Sequence, residues 1–407
     1  MNPMTNSRYS TKRIIYIIIA GIVLGVVFTL KALQNYTHQD YVNTNFFFFW
    51  LSGHMVWTGH NPYDQISWLA GHDAFGATWK PNKIFPYPLP LMFFMAPLGL
   101  LTLGQAYIAW QIVTMIIIAL CVFILLRHWL DSLQYLLFLP IIIILLFFGP
   151  VYLTLQIGSI GALALALILF AIVSMEKDHS LLAGMILSFT ILKPPQGLTI
   201  LILAGIWFIA RKDWKAILGI IVGGLVLVVI GWLRDPLWII KFRGSSETVL
   251  DRTLGIQSNI YSFAYLACKQ NIDCMWIAGS IGTLIVMGGG GFYLWRKGDQ
   301  LTAWEAFNII IPIGFLSTIY LWSYDQVPYL IPILWIVKII VDKTKSYAYA
   351  LLLLIGLDII SFIGLVVQAN THTDLLSITT TILIFGLCLW LFQLKNHHPI
   401  DKPIPAA

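Results

Sequence analysis

The amino-acid sequence predicts an all-α integral membrane protein with about twelve transmembrane helices, and three observations carry that reading. Only 10% of the 407 residues are charged and 59% are hydrophobic, whereas a soluble domain carries roughly 25% charged residues. Mean hydropathy is +0.83. Apolar runs of about 20 residues, each able to cross about 30 Å of hydrocarbon, recur from end to end.

The first run, residues 14–33, follows Arg8, Lys12 and Arg13. It is too long for a signal-peptide core and no small-residue cleavage site follows, so it reads as an uncleaved signal anchor. Residues 34–88 make a first long outer loop, rich in aromatic residues and therefore structured. Within it, Phe46-Phe47-Phe48-Phe49-Trp50-Leu51, followed by Met55, Val56 and Trp57, predicts an interfacial helix whose aromatic side faces lipid headgroups. Residues 89–101 are apolar but short and punctuated by proline, which predicts a re-entrant or interfacial helix rather than a span.

Further spans are predicted at 104–126, 135–149, 159–174, 180–193, 197–210 and 216–233. A second long outer loop, 234–274, separates these from spans at 275–295, 303–321, 327–341, 346–368 and 375–394. The chain thus reads as a single polytopic domain over 1–407. The four-glycine run at 288–291 predicts close helix packing. The two halves differ in loop length and aromatic content, so no transporter-type repeat is visible.

Charge sets the orientation. With 89–101 excluded as a span, the short loops assigned to the cytoplasm hold Arg127, Lys177, Arg211, Lys212, Lys215, Arg296, Lys297, Lys343 and Lys345, and both termini are cytoplasmic. The net charge of +6 is explained by this bias. No basic tract with interleaved aromatics occurs in a soluble segment, which sets nucleic-acid binding aside. Lys31, Lys80, Lys83, Lys193, Arg234, Lys241, Arg243, Arg252 and Lys269 fall outside, mostly in the two long loops. An anionic ligand on the outer face would explain this minority.

Several polar residues stand where chemistry is plausible. Asp40, just beyond the first helix, is either a general base at a membrane surface or the cap of the next helix. Gly59-His60-Asn61-Pro62-Tyr63-Asp64 reads as a tight turn. Lys193 ends an apolar helix at Lys193-Pro194-Pro195-Gln196-Gly197, where a lysine is costly unless paired, snorkelling or bound to phosphate. Arg243 and Arg252 share the second outer loop with Ser245, Ser246 and Asn259, and guanidinium groups suit phosphate. Asp325, in Trp322-Ser323-Tyr324-Asp325-Gln326, is placed to pair with Lys193, bond a sugar or cap a helix. Asp358, inside a predicted span, calls for a buried partner, most simply a structural hydrogen bond. Cys121 and Cys388 read as inert packing residues. Cys268 and Cys274 flank a short polar segment as a local disulfide or as two free thiols. The outer histidines His38, His54, His60 and His72 share no helical spacing, and no zinc-type pattern occurs.

In their order along residues 35–330, these segments resemble glycosyltransferase family 87, a branch of the GT-C membrane glycosyltransferases. The resemblance rests on Asp40-Tyr41 after the first helix, on Gly59-His60-Asn61-Pro62-Tyr63-Asp64, and on Tyr87-Pro88 with Ala96-Pro97-Leu98. It rests further on Ala183-Gly184 leading to Lys193-Pro194-Pro195-Gln196, and on Trp322-Ser323-Tyr324-Asp325-Gln326. The chain departs from the family in having Gly158-Ser159, with Gln156 upstream, where Gly-Gln is usual, and in an extra proline after Lys193.

The resemblance implies a GT-C-type helical bundle that moves a sugar from a polyprenyl-phosphate carrier to a lipid or glycan acceptor on the extracytoplasmic face, with mannose favoured and arabinose and other sugars left open. Asp40 would then be the base, with inversion at the anomeric carbon. Lys193, Arg243 and Arg252 would hold the donor phosphate. Tyr41, Asn61, Tyr63, Asp64, Tyr87, Gln196, Asn259, Tyr324, Asp325 and Gln326 would contact substrate. No cofactor is implied. Some GT-C enzymes require a divalent metal and others do not, so metal dependence stays open. The competing class is a transporter or flippase of a lipid-linked or anionic solute, for which the number of spans and Asp358 speak.

Overall fold

A computed structural model describes residues 37–80, 82–129, 138–344 and 346–397. The anchor expected at 14–33 lies outside them. All regular structure among the described residues is helical. Helices long and apolar enough to cross a membrane are Leu103–His128, Trp214–Trp232, Ile272–Gln300, Tyr347–Thr371 and Leu375–Phe392. Gly161–Glu176, Ser180–Leu192, Pro194–Ala210 and Ala303–Ser317 are apolar but shorter. The protein is therefore a multi-pass helical bundle, though the described residues do not supply twelve full spans. The run predicted at 135–149 ends as α6 (Phe138–Phe147) and turns at Phe148 into a separate α7 (Gly149–Ile157), with Pro150 in its first turn.

The chain enters this bundle through α1 (His38–Val42), α2 (Asn45–Trp57), α3 (Gln65–Ala74) and the short α4 (Leu91–Met95). Here the sequence expectation needs correction. Phe46, Phe47, Phe48, Phe49, Trp50 and Leu51 are all buried, so the aromatic run faces protein and not lipid headgroups. It packs with Trp68, Phe85, Leu91, Met92 and Tyr107 into a separate aromatic core. Three polar ties fasten α2 to the segment after α4: Trp50 Nε1 donates to Leu101 O (3.0 Å), Trp57 Nε1 to Ala96 O (2.6 Å), and His54 Nδ1 meets Gly99 O at 3.0 Å. At Gly53 and Gly99 the two backbones approach so closely that a Cβ on either would strike the other chain segment. Burying the aromatic run under 89–101 yields more than exposing it to headgroups, because each large aromatic ring removes about 150–250 Å² from water. As expected, 89–101 does not span.

After α5 (Leu103–Trp129), α7 and α8 (Gly161–Glu176), the helices α9 (Ser180–Ser188), α10 (Pro194–Ala210) and α11 (Trp214–Trp232) follow in close succession. α9 and α11 pack backbone to backbone. A Cβ at Gly184 would collide with the Ala216 carbonyl, at Gly219 with the Leu181 carbonyl and at Gly223 with Ser188 Oγ. This small-residue contact is the membrane packing device of the fold. The 288–291 run is only half such a device: Gly290 meets Ile313 and Gly291 meets Ile206, while Gly288 and Gly289 face open space.

The rest comprises α12 (Trp238–Thr253), α13 (Ile260–Ala267), α14 (Ile272–Lys297), α15 (Ala303–Ser317), α16 (Leu330–Thr344), α17 (Tyr347–Thr371) and α18 (Ile378–His397). Cys268 and Cys274 form a disulfide between α13 and α14, while Cys121 and Cys388 are buried free thiols. Asp358 is half-buried on α17, and no side-chain hydrogen bond to it is present among the described residues. The structural bond expected of it is not there. At the end of α10 away from Pro194, Arg211 Nη1 donates to Leu301 O (3.0 Å) and Trp207 Nε1 to Gly298 O (3.3 Å). The cation-rich turns 211–215 and 296–300 thus sit together, about 25 Å along α10 from Lys193.

A Gly219→Leu exchange should force α9 and α11 apart. The expected cost is about 1–3 kcal/mol, read as a lower thermal midpoint of the detergent-solubilised protein. Gly288→Ala, whose added methyl meets nothing, should not lower the midpoint and should raise it slightly, since glycine inside a helix costs about 0.5–1 kcal/mol relative to alanine.

Candidate functional site

The site is built on a broken helix. α9 tightens into a 3-10 turn at Phe189–Leu192, and α10 begins at Pro194, where proline's fixed φ and missing N–H suit a helix start. A residue before proline is pushed out of the α region, and Lys193 accordingly has φ −120° and ψ 79°. Its side chain is 7% exposed. The ammonium pairs with Asp325, donates to Ser159 Oγ (3.3 Å) and lies 5.1 Å from the centre of the Tyr324 ring.

Asp325 lies on the 3-10 turn Ser323–Asp325. Its Oδ2 accepts from Gln196 Nε2 (2.7 Å) and from the Trp322 N–H (3.2 Å), and Gln196 also donates to Tyr320 O (3.3 Å). Burial pushes the Asp325 carboxyl up, against the pull of Lys193 and these donors. Removing one member of such a buried pair strands the other charge, which costs far more than the net worth of the pair.

Two supports hold the turn. Thr154 Oγ1 donates to Tyr324 O (2.6 Å) from α7. Asp374, on the turn between α17 and α18, accepts from the Ser323 N–H and from Ser377 Oγ (2.6 Å). Burial pushes the Asp374 carboxyl up to about 7. Gly158 ends α7 with φ 66°, a left-handed conformation suited to glycine, and delivers Ser159 to Lys193. The Gly158-Ser159 departure noted in the sequence thus supplies a hydrogen-bond partner of Lys193 that sequence reasoning missed.

Lys193 faces a cavity of about 430 Å³, within the roughly 300–1,000 Å³ typical of small-molecule pockets. Tyr87, Tyr320, Trp322 and Tyr324 line one part, and Phe48, Trp79, Leu153 and Ile157 line apolar walls. Asn43, Thr44, Asn45 and Asn82 add polar groups, and Phe242 and Thr253 bring α12 to its edge.

The sequence-predicted residues divide on this geometry. Lys193, Tyr87 and Tyr324 line the cavity, with Asp325 and Gln196 directly behind Lys193. Arg243 is exposed on α12 next to the lining residue Phe242. Arg252 precedes the lining residue Thr253 on the same helix, and its side chain lies outside the described residues.

The others serve nearby structure. Tyr63 is buried and donates to Tyr87 O (2.5 Å). Asn61 Nδ2 donates to Asp235 Oδ2 (2.8 Å), which also pairs with Lys241 (2.6 Å), so the first loop is tied to the start of α12. Asp64 caps α3 through the Ser67 N–H (2.9 Å) and Asn259 caps α13 through the Ser262 N–H (2.8 Å). Tyr41 packs 5.2 Å from the Tyr107 ring. Gln326 is buried against Ser258, Ser377 and Thr381.

Asp40 is exposed and forms a capping box with Thr37: Oδ2 accepts from the Thr37 N–H (2.7 Å) and Oγ1–H (2.6 Å). Those hydrogen bonds hold its carboxyl below the usual carboxylate range. It stands one helical turn before Asn43, which lines the cavity. Among the described residues no group of three or more His, Cys, Asp or Glu side chains gathers at a common point.

Lys193, on the Lys-Pro-Pro-Gln break, pairs with the aspartate of the Tyr-Asp-Gln turn, one of the three roles that the sequence left open to Asp325. The family model of glycosyltransferase family 87 matches residues 85–317, more than half of the chain. The chain belongs to glycosyltransferase family 87. No curated protein and no solved structure gave a match. The matched stretch of this family 87 protein includes Tyr87, Lys193, Gln196, Arg243, Arg252 and Asn259, while Asp40 and the Trp322–Gln326 segment lie to either side.

Asp325→Leu should leave the ammonium stranded and cost about 3–5 kcal/mol, whereas the double exchange Lys193→Met, Asp325→Leu should recover most of the loss. Thermal unfolding of the three proteins measures this. For Asp374, the sign follows from its raised value: its contribution is fully present below the unfolded value of 3.8 and is lost as pH rises to about 7. The thermal midpoint should therefore decline over that window, and Asp374→Asn should flatten the decline.

Proposed function

We propose that the cavity holds the head of a polyprenyl-phosphate-linked sugar, mannose by the family resemblance, and that the protein transfers this sugar to an acceptor hydroxyl on the extracytoplasmic face. One observation carries the reading: a buried ammonium, fixed from behind by Asp325 and Gln196, faces an aromatic-lined cavity in a membrane bundle. A lipid phosphate has both properties that this cavity suits, an anionic head and an apolar tail.

In the reaction the acceptor oxygen attacks the anomeric carbon as the bond from that carbon to the phosphate oxygen breaks. The electron pair leaves with the polyprenyl phosphate, and the acceptor proton passes to a base. Lys193 is placed to stabilise the charge developing on the phosphate, and such preorganised donors act strongly where water is excluded. Arg243 and Arg252, on the helix at the cavity edge, would add positive charge at its mouth. Asp40 is the base in this scheme. It is a carboxylate at neutral pH, and Oδ1 carries no hydrogen bond among the described residues, so one oxygen is available while Thr37 holds the other.

Sidedness is supported by charge and by the disulfide. The cation-rich turns 211–215 and 296–300 lie at the far end of the bundle, as the cytoplasmic end should. α14 runs from that end towards Cys274, so the disulfide lies at the cavity end, and disulfides persist in oxidising compartments.

Transfer of labelled mannose from polyprenyl-phosphate mannose into the lipid and glycan fractions of sealed vesicles tests the reading. Lys193→Met should lower the rate by about 10²–10³, and Asp40→Asn by about 10²–10⁴. Thr37→Ala removes the cap but keeps the carboxylate, and should retain most activity. Equal losses in Asp40→Asn and Thr37→Ala would reduce Asp40 to a cap. Labelled solute crossing the vesicle membrane with no glycosylated product would sink the transferase reading.

A further inference from the structure

The cavity holds a second chemical feature beside Lys193. Trp322 and Tyr324 present ring planes only 7° apart with centres 6.2 Å apart, and both line the cavity. Lys193 lies over the Tyr324 ring, so the cation marks one end of this aromatic surface and Trp322 the other. The Trp322 indole N–H is enclosed by protein, with the Tyr320 hydroxyl close to it, so the ring face is the part of Trp322 offered to the cavity. Tyr320 and Tyr87 line the same part of the cavity and carry hydroxyl groups.

We propose that Trp322 is the sugar-binding platform of the donor site and that Tyr320 reads the sugar's hydroxyls beside it. This rests on the donor-site reading above and assigns the non-phosphate part of the ligand. A pyranose has one face of C–H bonds, slightly positive, and an edge of hydroxyls. The C–H face suits the negative face of an indole ring, and the hydroxyl edge suits the phenol hydroxyls of Tyr320 and Tyr87. Placing the phosphate at Lys193 then puts the sugar one ring further along, on Trp322. The same placement explains why Trp322 is not needed as a side chain for the ion pair: Asp325 takes its hydrogen bond from the Trp322 backbone N–H. Its large indole is free to serve a ligand.

The test measures binding of two lipids to the full-length protein in nanodiscs, polyprenyl-phosphate mannose and polyprenyl phosphate with no sugar. Trp322→Leu should weaken the mannosylated lipid about tenfold or more and leave the sugar-free lipid within about twofold, a split that a general loosening of the fold would not give. Tyr320→Phe, a smaller change that keeps the ring, should weaken only the mannosylated lipid, and less. If Trp322→Leu weakens both lipids equally, or neither, the platform assignment is overturned while the donor site stands. If the wild-type protein retains neither lipid, the donor-site reading itself fails and the platform with it.

Discussion

The Lys193–Asp325 pair is the constraint on which the site depends. Two charges buried between helices are tolerable only when each satisfies the other and their remaining hydrogen bonds are filled. That requirement reaches outward. It fixes the break between α9 and α10, because the proline pair keeps Lys193 out of the helical conformation, and Gln196 in the first turn of α10 bonds Asp325. It fixes the Ser323–Asp325 turn, which Thr154 and Asp374 hold from two sides. It also makes use of Gly158, whose left-handed turn brings Ser159 to the ammonium. Elements far apart in sequence meet here because one lysine must not be left alone.

Around that pair the first loop builds the wall. The aromatic residues of α2 are buried and tied to 96–101, so the loop is a fixed body and not a flap over the membrane. Its beginning, 43–45, forms one edge of the cavity, and Tyr87 near its end forms another. The cavity lies where this aromatic core meets the bundle, with Phe48 and Tyr87 on the first-loop side and Leu153, Ile157 and the Tyr320–Tyr324 segment on the bundle side.

Much of this was legible in the sequence, in a graded way. Hydropathy showed an all-helical membrane protein, and the short proline-marked segment 89–101 was rightly kept from being a span. The pairing of Lys193 with Asp325 was one of three readings that the Trp322–Gln326 turn allowed. Apolar composition does not reveal a turn such as that at Phe148, where α6 ends at the edge of the predicted span and a separate α7 begins beyond it. The direction faced by Phe46–Leu51 was misread because an aromatic run looks alike whether it meets headgroups or a protein core, and only the partner segment decides. Ser159 was visible as a departure from a pattern, but its partner 34 residues away was not. Asp64 and Asn259 carry the capping preference of their residue type, a signal available in sequence that the resemblance had overshadowed.

The central claim is that Lys193 holds a lipid phosphate in this cavity. Mass spectrometry of lipid retained by the protein purified in mild detergent tests it most directly, comparing wild type with Lys193→Met. The account predicts a polyprenyl-phosphate species on the wild-type protein and its loss from the variant, with bulk phospholipid unchanged. Retention of the same polyprenyl-phosphate species by both proteins would contradict it.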